Sequence, residues 1–332
     1  MRGTLLLIMS TATAVAHPNI AFIKYWGNRN DELRLPASGS ISMNLAGLET
    51  VTSVAFDPRR TEDEFVFDGV LQSGPALARV SAHLDRLRSR AGSSLKARVE
   101  SRNNFPMGAG IASSASGFAA LTLAGAAALG LSLSERELSI LARRESGSAS
   151  RSIPAGFVEW HAADTDGDSF AESIAPPEHW ALADVIAILD SRPKETGSAE
   201  GNRLARTSPR QAARVADAPR RLAVCRRGVR EKDFAALAEI VEEDTRLMHE
   251  VMRTSIPALN YLAPATEELM RLISAWRTRG MPVAYTIDAG PNVHCLCPAE
   301  SAAEVEHRLR EIPSVQRVMT ARPGGGARVV QG

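Results

Sequence analysis

The residues with the most chemical reach are Lys24, Arg151, Asp288 and the small-residue loop over 106–117. Asp288 follows the strand-like run 284–287 and precedes Ala289-Gly290-Pro291, so a carboxylate stands at a strand end, either as a surface turn former or as a working group. Lys24 lies in the apolar stretch Ile20-Ala21-Phe22-Ile23-Lys24-Tyr25-Trp26. An ammonium there either snorkels from a strand end or is held against a carboxylate. Arg151 follows Ser146-Gly147-Ser148, a turn able to donate to an anion, and its planar fork suits a carboxylate; an ordinary surface arginine is the plain alternative. The loop Pro106-Met107-Gly108-Ala109-Gly110-Ile111-Ala112-Ser113-Ser114-Ala115-Ser116-Gly117 ends in hydroxyls at a helix start. Backbone N–H groups and the positive helix end then converge on one phosphate. The loop has no Gly-Lys-Ser, so it is not a Walker loop, and alone it reads equally as a simple helix start.

These groups need a scaffold. A strand over 11–23 is interrupted at His17-Pro18-Asn19, and strands are expected within 40–56. Leu77, Val80, Leu84 and Leu87 predict a helix over 76–90, followed by a strand over 95–100 and a long apolar helix over 114–129. Ser134 and Glu137 form a capping box that opens a helix over 134–144. A strand over 183–189 leads into a Gly- and Arg-rich, flexible approach to the second half. There, helices over 211–227, 233–252 and 264–279 precede strands over 282–287 and 294–297, a helix over 301–312 and a strand over 315–320. That alternation suits a split βαβ, ferredoxin-like domain.

A chain of 332 residues exceeds the usual single domain, so two packed domains sharing a cleft are expected. A formal charge of +1 gives no bulk attraction to nucleic acid or an anionic membrane, so an anionic ligand must be held locally. Cys225, Cys295 and Cys297 lack metal-ligand spacing and read as buried free thiols in a reducing cytoplasm. Arg2, the apolar run 5–9 and Ala14-Val15-Ala16 imitate a signal peptide, but the run is short and cleavage would remove a strand leading to the site. A ragged start is the expectation. No stretch approaches the roughly 20 apolar residues of a membrane span.

The loop over 106–117 resembles the phosphate-binding loop of the GHMP kinases, which group galactokinase, homoserine kinase, mevalonate kinase and phosphomevalonate kinase. Three further segments occur in that family's order: Pro18-Asn19-Ile20-Ala21-Phe22-Ile23-Lys24-Tyr25-Trp26-Gly27, Ser146-Gly147-Ser148-Ala149-Ser150-Arg151-Ser152 and Asp288-Ala289-Gly290-Pro291-Asn292. Within it the chain is most similar to the mevalonate diphosphate decarboxylases. The resemblance implies an α+β, two-domain GHMP fold. An ATP-binding domain over 1–184 would carry a mixed sheet, helices and a left-handed βαβ unit, and a ferredoxin-like domain would span 185–332. It implies ATP and Mg²⁺ as cofactors of an ATP-dependent carboxy-lyase acting on a 5-phosphorylated mevalonate in isoprenoid biosynthesis. The reaction phosphorylates the tertiary hydroxyl and then eliminates phosphate and CO₂. No nucleic-acid or membrane partner is implied, and the relatives are often homodimers.

Residue roles follow from the same resemblance. Asp288 is the base or orienting group, Lys24 keeps it ionised, and Arg151 holds the substrate carboxylate. Asn19 and Tyr25 orient substrate, while Ser146, Gly147, Ser148 and Ser198 cradle the phosphate on carbon 5. Asn104, Pro106, Gly108, Ala109, Gly110, Ala112, Ser113 and Ser114 bind ATP, with Ser113 or Ser114 reaching Mg²⁺. A kinase without decarboxylation is disfavoured because those relatives replace the aspartate.

Two positions depart from the pattern. Diphosphate-using relatives carry a lysine after Lys-Tyr-Trp-Gly, and some an arginine after the serine matched to Ser198; here Asn28 and Ala199 stand there. Glu200 and Glu145 add negative charge nearby. Losing two charge-assisted hydrogen bonds of roughly 1.5–3 kcal/mol each weakens diphosphate binding by on the order of 100-fold or more. The expectation is therefore mevalonate 5-phosphate as substrate and isopentenyl phosphate as product, with mevalonate 5-diphosphate as the alternative. Arg192, Lys194 or Arg203 is a possible replacement for the missing charge.

Overall fold

Pro18 has no N–H to give a sheet ladder, and the first extended run divides there into β1 (Ser10–Ala16) and β2 (Asn19–Ile23). The computed structural model describes residues 10–106, 113–190, 192 and 196–332. Next come β3 (Asn28–Asn30), β4 (Leu35–Pro36), β5 (Ser40–Ala46), β6 (Thr50–Asp57), β7 (Glu64–Phe67), β8 (Val70–Gln72), α1 (Gly74–Ala91), β9 (Lys96–Asn103), α2 (Ser113–Ala128) and α3 (Glu135–Arg143). After a 3₁₀ turn over Gly147–Ser152 follow β10 (Phe157–Trp160), β11 (Ala171–Ala175) and β12 (Leu182–Ile188). The rest is α4 (Ser198–Leu204), α5 (Gln211–Glu231), α6 (Phe234–Arg253), α7 (Pro264–Thr278), β13 (Ala284–Thr286), β14 (Val293–Pro298), α8 (Ala302–Arg310), β15 (Arg317–Pro323) and β16 (Arg328–Gln331).

One sheet runs β16-β1-β6-β9-β7-β8. Buried and more open side chains alternate along β6, so one face of the sheet meets α2. This helix is apolar on all sides and correspondingly buried between the sheet, α1, α3 and the 3₁₀ turn. Gly125 permits the close approach of α1, because a Cβ there would lie 2.6 Å from Leu87 Cδ1. The Ser134/Glu137 capping box fixes the start of α3 as its sequence predicts.

The second sheet runs β11-β10-β5-β15-β12-β14-β13, with β2 also on β5. Its last four strands are, by chain order within that half, fourth, first, third and second, the antiparallel ferredoxin-like arrangement. β12 is buried along its whole length. Ile186 and Leu296 pack with Cys225, Val229 and Val241 of α5 and α6. Val185 and Cys295 face Leu269, Ile273, Val305 and Leu309 of α7 and α8 on the other side. The three cysteines are buried and free.

The late chain returns to the early one: β16 pairs with β1, and β15 bridges β12 and β5. A division between residues 184 and 185 falls inside β12. The sequence reading also omits β3, β4, β7, β8, β10, β11, β16 and α4, and it ends β9 three residues early. Thr52, Val51 and Thr50 pair with Ser101, Arg102 and Asn103, which makes that stretch strand rather than loop. No described helix is long and apolar enough to cross a membrane.

Candidate active site

The end of β2 and the turn after β13 bring two distant charges together. Lys24 Nζ lies 2.6 Å from Asp288 Oδ1, with the lysine side chain 1% and the aspartate 27% exposed. Burial alone would push the Asp288 carboxyl up, but Lys24, then His294 and Arg151, outweigh it and hold the group below its usual range. The turn itself is pinned. Asn292 accepts from the N–H groups of Leu189 and Asp190 and donates to the Asp190 carbonyl, while Thr266 donates to the Pro291 carbonyl.

Arg151 projects from the 3₁₀ turn, buried to 2% exposure. Its guanidinium donates to Ser40 Oγ at 2.7 Å and to Asn19 Oδ1 at 3.1 and 3.3 Å. Asn19 donates in turn to the Ser148 carbonyl and to Ser152 Oγ. Asn19 therefore sits behind the fork and aims it. Burial pulls the Arg151 pKa down to about 10 against the opposing pull of Asp288 and Tyr25, so the group stays charged at neutral pH.

Past β2 the backbone leaves the sheet while still buried, and its polar groups need other partners. Asp244 Oδ2 accepts from the Lys24 N–H at 2.6 Å, and Arg214 donates to the carbonyls of Lys24 and Trp26. Gln211 also donates to Trp26, and Asn202 accepts from the Gly27 N–H. Arg221 holds the other oxygen of Asp244 at 2.8 Å. Sequence reasoning missed this shell, because it comes from α4, α5 and α6, far along the chain. On the facing side Gly147 has room for no side chain: a Cβ would lie 2.5 Å from Tyr25 Cε1. Burial raises the Tyr25 hydroxyl to about 12, and it donates to Asn28.

Lys24 and Asp288 open on a cavity of about 340 Å³ that Tyr25, Ser146, Gly147, Ser148, Arg151 and Ser198 also line. Ser113 and Ser114, in the first turn of α2, line this cavity and a second of about 220 Å³. Phe65, Phe67, Val80, Phe118 and Leu121 give the second cavity a largely apolar wall. Ser114 Oγ and Ser146 Oγ meet at 3.2 Å where the two spaces adjoin. Gly108, Ala109, Gly110 and Ala112 lie outside the described residues. Pro106 and Asn104 line neither cavity. The Asn104 amide is used at both ends, accepting from the Glu49 N–H and donating to the Gly47 carbonyl, so it pins the β5–β6 turn.

The charge balance differs from the sequence reading. Asn28 is occupied by Tyr25 and Asp31. Glu145 adds no uncompensated charge, because Arg86 and Arg79 both pair with it. Arg192 pairs with Asp190 at the surface, Arg203 does not line the cavity, and Lys194 lies outside the described residues. Arg34 and Arg79 do line it. Neither was anticipated, since only the β3–β4 hairpin turns Arg34 inward; the run Asp31-Glu32-Leu33-Arg34 otherwise reads as a solvated turn.

Two cavities meeting at the first turn of α2 and a Lys–Asp pair beside them define the GHMP class of ATP-using small-molecule enzymes. Residues 16–171 match the family described as diphosphomevalonate decarboxylase-like N-terminal domain, and residues 184–324 match the mevalonate 5-diphosphate decarboxylase C-terminal domain. The diphosphomevalonate decarboxylase of Ganoderma lucidum is 36% identical over 97% of this chain and 87% of its own. The human enzyme of that name is 36% identical over 89% of this chain and 79% of its own. Mevalonate diphosphate decarboxylase from Staphylococcus aureus superposes with a TM-score of 0.93 at 35% identity, covering 99% of this chain and all (100%) of the other. A structure described as MDDEF in complex with MVAPP, AMPPCP and magnesium gives 0.93 at 36% identity, over 98% and 100% of the two chains. The chain belongs to the diphosphomevalonate decarboxylase family. These relatives favour the diphosphate alternative over the monophosphate expectation.

Proposed function

We propose that the chain catalyses the ATP-dependent decarboxylation of mevalonate 5-diphosphate, giving isopentenyl diphosphate, ADP, phosphate and CO₂. The observation that carries this reading is the Lys24–Asp288 contact of 2.6 Å on the wall of a cavity that Arg151 shares. The half over 1–184 holds the nucleotide, and the half over 185–332 delivers Asp288. The apolar cavity suits a nucleobase, and the first turn of α2 suits the phosphates. Among the described residues no cluster of His, Cys, Asp or Glu could hold a metal alone. That fits Mg²⁺ carried by ATP, with Ser113 or Ser114 adding a hydroxyl ligand. The bound ion would neutralise phosphate charge during transfer.

In this mechanism Asp288 accepts the hydrogen bond of the tertiary hydroxyl, aligns its oxygen on the γ-phosphorus and takes the proton as the new O–P bond forms and the bond from the γ-phosphorus to the β–γ bridging oxygen breaks, releasing ADP. The transfer is largely dissociative, so alignment matters more than base strength. Lys24 keeps the carboxylate ionised. Arg151, aimed by Asn19 and Ser40, grips the substrate carboxylate. Phosphate then leaves carbon 3, the electrons of the C1–C2 bond become the C2–C3 double bond, and carbon 1 departs as CO₂. Ser146, Gly147, Ser148 and Ser198 flank the chain toward carbon 5.

A second reading, with mevalonate 5-phosphate as substrate, is favoured by Asn28 and Ala199 alone. Specificity constants for the two substrates, with phosphate and CO₂ both followed, separate them. The diphosphate is expected to be preferred, with the two products released in equal amounts. Preference for the monophosphate would overturn the substrate assignment, and phosphate without CO₂ would reduce the chain to a kinase. The reading includes a cytoplasmic setting, supported by three free, buried thiols. It also includes self-association, which sedimentation measures.

A further inference from the structure

Two cations lining the larger cavity have no ion-pair partner among the described residues. Lys24 is committed to Asp288, and Arg79 leans on Glu145. Arg151 and Arg34 remain. The proposed substrate likewise has two anionic ends, a carboxylate and a diphosphate. Arg151 suits the first.

Arg34 is held in a way that leaves its fork available. Its Nε donates to the Arg144 carbonyl at 3.0 Å, which fixes the side chain across the mouth of the 3₁₀ turn, and neither terminal nitrogen has a hydrogen-bond partner among the described residues. It faces Arg79 closely enough that the two guanidinium groups repel: burial first, then Arg34, lowers the Arg79 pKa. Glu145 offsets this repulsion on the Arg79 side only, and an anion reaching Arg34 would relieve the rest. The backbone adds an independent sign. Arg34 has φ 48°, in the left-handed region that a turn fills more comfortably with glycine or asparagine. A long cation kept in that conformation points to a role for its head group.

We propose that Arg34 is the specificity-determining cation of this site, gripping the terminal phosphate of a 5-diphosphate in place of the positive charge missing at Asn28 and Ala199. The inference rests on the proposed function and names the residue that makes the diphosphate the better substrate. Asn28, paired with Asp31 and Tyr25, only braces the hairpin that carries it.

The test is steady-state kinetics of wild type, Arg34→Asn and the double variant Arg34→Asn with Asn28→Lys, on both phosphorylated mevalonates. Arg34→Asn is expected to lower kcat/KM for the diphosphate by about 10- to 100-fold, mostly through KM, and for the monophosphate by less than about 3-fold. The KM for ATP should stay unchanged and the melting temperature should hold or rise, since asparagine suits the backbone better. Asn28→Lys should restore much of the diphosphate preference. Equal losses on both substrates, a rise confined to the KM of ATP, or a lowered melting temperature that accounts for the loss would each overturn the assignment. If wild type turns over neither compound, the functional reading fails. Calorimetry with inorganic pyrophosphate then decides the claim about Arg34, which survives only if wild type binds it more tightly than Arg34→Asn.

Discussion

Asp288 is a half-buried carboxylate that stays ionised because Lys24 touches it, with His294 and Arg151 in support. The sign of the pH dependence follows. Because the folded carboxyl lies below its usual range, activity should hold as pH falls through the ordinary aspartate range and fail only below it. Replacing Lys24 by Met removes the main opposing charge and leaves burial, which pushes the carboxyl up. The acid limb of kcat/KM should therefore move to higher pH, and an unmoved limb would show that Lys24 does not set the ionisation of Asp288. Both residues are legible in the sequence, because a lysine inside Ile20-Ala21-Phe22-Ile23-Lys24-Tyr25-Trp26 and an aspartate before Ala289-Gly290-Pro291 are conspicuous where they stand. Arg34 is not, since its direction depends on a hairpin rather than on its neighbours. Glu145 is misjudged for the same reason: its neutralising partners come from α1.

At the scale of elements, α5 and α6 do more than cover a sheet. Asp244 is fully buried and answers to Lys24 N–H, Arg221 and Arg214 at once. Asp244→Ala leaves the buried Arg214 guanidinium without its carboxylate and Arg221 with Asp217 alone, a change that costs about 3–5 kcal/mol, readable in urea unfolding. Turnover should fall further than stability explains, because the Lys24 segment loses its tether; activity unaltered in the folded variant would remove the positioning role. Helices were legible through periodicity and, at α3, through the Ser134 and Glu137 capping box. Short strands were not. β10 has four residues, all buried, and includes Glu159, whose ion pair with Arg226 no local pattern reveals. The β7–β8 hairpin left a usable sign, since Asp68-Gly69 at positive φ between apolar residues is a turn that twists with its strands.

The whole molecule is tied end to start. β15 and β16 return to β5 and β1, so neither half completes its own sheet. A fragment ending at residue 184 should fail to give a dispersed NMR spectrum, and one that folds cooperatively alone would contradict this dependence. The ferredoxin-like layer could be read from alternation in the second half, but the return of its last strands could not, because nothing in 315–332 names a partner some 300 residues earlier. That closure is what lets an aspartate from the late chain share a cavity with a lysine and an arginine from the early chain. The most direct measurement of this arrangement is release of labelled CO₂ from carbon 1 of mevalonate 5-diphosphate, with and without ATP, by wild type and by Asp288→Asn. The predicted result is one CO₂ and one phosphate per ADP for wild type, and a loss of about 10²- to 10⁴-fold in the variant with substrate binding retained. Release of CO₂ at near wild-type rate by Asp288→Asn, or without ATP, would contradict the account.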